Sequence, residues 1–167
     1  ANQIIFDRQI HGIIETADLA SRTIHVLGQI IVIDDLTVID GANEADLTQG
    51  QRIDVAGTFN DAQQTVAAYI KIITAPGVPE RAEVEGHIQD LTTQSFSIGA
   101  LLIDTSNAAI DERQGPLQEG AYVEVTGFGT SSDEPLHANQ ITIKNPSGDL
   151  NAGDLGFLSG FVTNLSD

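Results

Sequence analysis

The alternation of apolar and polar positions along the chain is written out twice. Residues 47–59 read LTQGQRIDVAGTF and residues 117–128 read LQEGAYVEVTGF, and a single step carries Gly50 onto Gly120, Val55 onto Val125 and Gly57 onto Gly127. After the turn glycine, Ile53 and Val55 in one copy and Val123 and Val125 in the other are separated by Arg52, Asp54 and Ala56 or by Tyr122, Glu124 and Thr126. A period of two is that of a strand with one face buried.

The same period organises the stretches on either side. Residues 4–16 read as a first strand with Ile10 and Ile14 on one face of Gly12, where a missing side chain permits a bulge or close packing. TIHVL, with Ile24 and Val26 inward, and IIVID follow across a turn at Gly28 and Gln29, so three strands form a meander. From Asp35 to Gln49 the alternation fails, and a long acidic loop is expected there, with one helical turn at residues 44–47. The repeated strand comes next, then a fifth strand at residues 66–73 with Ile70 and Ile72 inward. TAPGVPERAE, carrying Pro76 and Pro79, is read as the linker. The second unit repeats each element: VEGHIQDL with Gly86, SFSI with Phe96 and Ile98 inward, a type II′ turn at Gly99 and Ala100, LLID, a long loop at 104–120, the repeated strand, and NQITIK with Ile141 and Ile143 inward. After a second linker, FLSGFVTNLSD aligns Leu158, Gly160 and Val162 with Val84, Gly86 and Ile88.

Five strands per unit, a meander of three followed by a hairpin of two, make the order of a small OB-like barrel whose usual helix has shrunk to a loop. The expected fold is all-β: tandem five-stranded OB-like β-barrels, with residues 1–75 as the first barrel, 82–145 as the second and 157–167 as the first strand of a truncated third repeat. Each barrel is expected to hold its own core, Ile24, Val26, Ile53, Val55, Ile70 and Ile72 in one and Phe96, Ile98, Val123, Val125, Ile141 and Ile143 in the other. Phe157, Leu158 and Phe161 put apolar residues on both faces of the terminal strand, so this strand is expected to dock on the second barrel or on a neighbouring molecule.

Composition adds limits. Apolar residues make up 41% of the chain, enough for globular cores despite a net charge of −17. There is no cysteine, hence no disulfide, thiolate metal site or cysteine nucleophile. There is no methionine either, so Ala1 is not a translation start and the chain is expected to be a piece of a longer precursor. No apolar run reaches the roughly 20 residues of a membrane span.

The glycine-centred first strand, the glycine-turned hairpin and the acidic loop running into the repeated strand resemble a tandem-repeat family of bacterial cell-envelope proteins described only as a domain of unknown function. The resemblance extends from about Gly12 through nearly the whole chain. It implies small β-barrels in a secreted or envelope-anchored protein, and it brings no catalytic residues to carry over.

The residues themselves point away from catalysis. His11, His25, His87 and His137 show no H-x-H or H-x-x-x-H spacing, no serine sits in G-x-S-x-G, and no glycine-rich loop opens a helix. The acids that recur in both units are Asp34 with Asp104 and Asp40 with Asp111, in loops whose oxygens suit calcium; the plainer reading has them accept hydrogen bonds from their own turns. Asp54 and Glu124 read as members of a solvated face. Seven basic residues against 24 acids, with 5% aromatics, exclude nucleic acid as a partner. The expected function is a non-catalytic structural or binding module of a bacterial cell envelope or secreted protein, without a resident cofactor and with a protein or polysaccharide partner. The alternative is a calcium-dependent or carbohydrate-binding adhesion module.

Overall fold

The computed structural model describes residues 9–74, 81–129 and 131–144. Six strands make the first unit: β1 (Ile10–Asp18), β2 (Thr23–Val26), β3 (Gln29–Val32), β4 (Val38–Asp40), β5 (Arg52–Phe59) and β6 (Thr65–Ile72). Six more make the second: β7 (Arg81–His87), β8 (Ser95–Ile98), β9 (Leu101–Asp104), β10 (Ala109–Asp111), β11 (Tyr122–Phe128) and β12 (Leu136–Lys144).

The expected barrels are there. In the first, β1 pairs with β2, β2 with β3, β3 in parallel with β6, β6 with β5 and β5 back with β1, which closes a ring of five strands. In the second, β7, β11, β12, β9 and β8 follow the same order, and the ring closes through a bridge between Gln89 and Ser97. Closure pairs most of the strand edges of each ring and, among the described residues, leaves the start of β1 to meet a strand from outside its own ring. The inward positions hold: Ile24, Ile53, Val55 and Ile70 are buried in one barrel and Phe96, Val123, Val125 and Ile141 in the other. Ile72 is half-buried at the rim. Gly99 has φ +57 in the two-residue turn between β8 and β9, as a type II′ turn requires.

Four expectations need correction. The loops after β3 and β9 each contain a short sixth strand, β4 lying parallel to β6 and β10 parallel to β12. Three residues are too few for a period of two to show. The bend in β1 falls between Ile14 and Thr16, where its register against β2 shifts, and not at Gly12. Of the two roles expected at Gly12, close packing is the one it serves, and Gly86 does the same: a Cβ on Gly12 would lie 2.7 Å from Val26 and one on Gly86 2.4 Å from Ile98, the same contact in both units. Residues Arg81 to Glu83, read as linker, are strand paired with β11. Finally, the barrels are not separate. β1 pairs antiparallel with β7, Ile10 opposite Val84 and His11 opposite Glu83, so all twelve strands belong to one sheet. The buried residues of both units likewise form one cluster, from Ile10 through Ala82 and Val84 to Ile143. Units of this size bury too little alone, and a shared sheet adds to what each can bury. The expected terminal strand at 157–167 lies outside the described residues.

The two units share a bulge at the same place. Between Ala56 and Gly57 the register of β5 against β6 slips, and between Thr126 and Gly127 that of β11 against β12 does the same. The repeated glycine thus marks a bulge where the neighbouring backbone comes too close for a side chain.

Candidate functional site

Each of the four recurring aspartates accepts a hydrogen bond from a partner of its own. Asp34 accepts the Leu36 N–H at 2.9 Å, Asp104 the Ser106 N–H at 3.0 Å and Asp111 the Arg113 N–H at 3.1 Å, all two residues ahead, while Asp40 accepts the Tyr69 hydroxyl at 2.7 Å. These are Asx turns and a cross-strand bond. Among the described residues no group of three or more His, Asp or Glu is placed to hold a metal ion. The hydrogen bond to Asp40 raises the Tyr69 pKa, and hydrogen bonds from Arg113 lower that of Asp111.

Asp104 has further partners. The hydroxyl and N–H of Ser106, and then His137 Nδ1 at 2.9 Å, hold its pKa down to about 2. A depressed carboxyl pKa contributes stability above the unfolded value of 3.8, and that contribution is lost as pH falls through about 2. Ser106→Ala removes the largest cause, so the Asp104 midpoint in a carboxyl-detected NMR titration should move up toward 3.8. An unmoved midpoint would show that the serine does not set it.

His11, His87 and His137 each find a partner of their own. His11 is buried and places Nδ1 2.5 Å from Asp54 Oδ1. His87 Nδ1 lies 3.0 Å from the Gly120 carbonyl, which can only accept, so Nδ1 is the donor. His25 lines a 640 Å³ cleft between the units together with Glu15, which accepts the Ser132 N–H at 2.6 Å.

The densest chemistry is a cluster that the sequence did not announce. Glu124 is not on a solvated face. It lies opposite Glu85, which is 5% exposed, and both carboxylates hold Lys144: its Nζ is 2.6 Å from Glu124 Oε2 and also donates to Glu85 Oε1. The Tyr122 hydroxyl donates to the other Glu85 oxygen at 3.0 Å. Burial alone would lower the Lys144 pKa, but the bonds and charges of Glu124 and Glu85 override it and hold the ammonium above the usual lysine range. Around this anchor the Tyr122 ring meets His87 edge-on at 5.1 Å and Phe59 of the first unit at 6.2 Å. Tyr122, His87 and Lys144 line a 350 Å³ cleft together with Gln114, Pro116 and Gln118. Two rings, two amides and the Lys144 ammonium line it, the chemistry that takes a polar ligand. The available signal was Lys144 itself, one of only seven basic residues among 24 acids.

No curated protein matches the chain. The family model for a domain of unknown function, DUF5666, matches residues 11–71 and again residues 85–142, once per barrel. The chain belongs to that family, as two of its domains in tandem.

Proposed function

We propose that this chain is a non-catalytic structural and binding module of a secreted or cell-envelope protein. The observation that carries the reading is the β1–β7 seam, which makes two marginal barrels into one twelve-stranded body. A repeat joined this way holds a surface at a fixed distance and angle, and that task needs no reacting group. The strong negative charge fits an exposed, soluble part that resists nonspecific association. No helix of the described residues is long and apolar enough to cross a membrane. An antibody raised against the chain should find it in the envelope or culture-medium fraction of the native cells, and recovery in the cytosol would refute the location.

A second reading rests on the cleft beside Tyr122. Its aromatic edges and amides suit a saccharide, in keeping with a polysaccharide partner. Binding to a glycan array that is lost in Tyr122→Ala would favour it. Calcium separates the adhesion form of this reading from the first: the melting temperature is expected to be indifferent to calcium, and a large saturable rise would favour a calcium-dependent adhesion module.

A further inference from the structure

The seam joins like to like. Aligning Gly12 with Gly86 makes Ile10 the counterpart of Val84, and these two residues are directly opposite each other in the antiparallel β1–β7 pair. On one side of them His11 faces Glu83, and on the other the Glu85 N–H donates to the Gln9 carbonyl at 2.9 Å. Gln9 is the counterpart of Glu83 and His11 that of Glu85, so exchanging the units maps the ladder onto itself. The hairpin tips obey the same rule. Gly28 in the β2–β3 turn and Ala100 in the β8–β9 turn are counterparts, and a Cβ on Gly28 would lie 3.2 Å from the Ala100 carbonyl carbon. The seam therefore has a local pseudo-two-fold axis through Ile10 and Val84. Such a contact is self-complementary and closes on itself, whereas a stack of repeats needs a head-to-tail contact.

We infer that the first-strand edge of unit 1 is a docking surface for a second unit of its own kind, and that units join through it in closed pairs, not in an open stack. A further unit attached after residue 144 finds the β1 and β7 edges already taken and must pair with a unit of another chain. The side chains at the seam also choose the partner. In a pair of second units, Glu83 of each would face Glu85 of the other, and directly opposed like charges destabilise a sheet. In a pair of first units, His11 would face Gln9. The Gln29 amide, which donates to the Ile98 carbonyl across the tips at 2.7 Å, would meet the equivalent Val26 carbonyl twice. In the second unit Leu101 stands in place of Gln29 and can make no such bond. The order of preference is then mixed pairs, first-unit pairs, and last second-unit pairs.

The test is to insert a protease site within residues 75–80, cut the folded chain, and weigh the products by native mass spectrometry at increasing dilution. Mixed pairs and first-unit homodimers are expected while second units alone remain monomeric, and Glu83→Gln should make second-unit homodimers appear. The inference is overturned if first units, folded by circular dichroism, never self-associate, or if second units self-associate as readily as first. Should cutting unfold the units, the uncut chain carrying an extra copy of residues 9–74 after residue 144 puts the same question. Twice the chain mass is expected, and a monomer with its third unit folded overturns the inference.

Discussion

Replacing Gly57 by alanine should destabilise the protein by about 3 kcal/mol, and Gly127→Ala by a similar amount. A Cβ at Gly57 would lie 2.2 Å from the Val66 carbonyl oxygen and 2.9 Å from its carbon, and one at Gly127 would lie 2.3 Å from the His137 oxygen. These obstacles are backbone atoms of the facing strand at a bulge, so no side chain can swing aside, and relief requires prising β5 from β6 or β11 from β12. Gly50→Ala is the proper comparison. Gly50 has φ +87 but nothing within 4 Å of its would-be Cβ, so alanine there meets backbone strain alone, about 1–2 kcal/mol. Urea denaturation of the three variants should place Gly57→Ala and Gly127→Ala well below Gly50→Ala. Equal midpoints would mean that the bulges open at little cost.

Lys144→Met should cost about 2–3 kcal/mol, although it substitutes one flexible chain of similar length for another. The ammonium is what allows Glu85 to be buried opposite Glu124, and removing it leaves two facing carboxylates with one of them out of water. Breaking a fully buried pair costs about 3–5 kcal/mol, and the value here is lower because the Lys144 side chain remains 27% exposed to screening water. The pH dependence follows from the raised lysine pKa. The contribution of Lys144 is complete below the unfolded lysine value of about 10.4 and is lost only as pH rises through the still higher folded value. The difference in stability between the two proteins should therefore be flat from neutral pH to about pH 10 and shrink beyond it. A difference under 0.5 kcal/mol at neutral pH would show that Glu85 is adequately served by Tyr122 and solvent.

The strands were legible because burying one face of a sheet imposes a period of two on residues such as Ile53 and Val55, and because Gly57 and Gly127 can only be glycine. Ring closure followed from strand order. The lapses share a cause. β4 and β10 are three-residue strands held by parallel pairing with a partner far along the chain, so no local period marks them. The seam depends on which edge of β1 is left open, which the apolar pattern of β1 does not encode. For the candidate site, the Asx turns of Asp34, Asp104 and Asp111 involve near neighbours and could be read from the sequence. The Glu85, Glu124 and Lys144 cluster draws on three different strands, and each residue alone looks like an ordinary outward-facing charge.

The seam also has a consequence in time. The chain is made from its N-terminus at roughly 5–20 residues per second, and, among the described residues, the edge of β1 that takes β7 waits until β7 has been made and freed. Within the first barrel the parallel pairing of β3 with β6 must likewise wait for the end of the unit. Contacts between residues this distant in sequence form slowly, on the millisecond-to-second scale of non-local β topologies. For several seconds of its synthesis, then, unit 1 offers a strand edge that accepts its own kind to every neighbouring nascent chain, and crowded translation of the same message is the setting in which this protein is most exposed to pairing with the wrong copy.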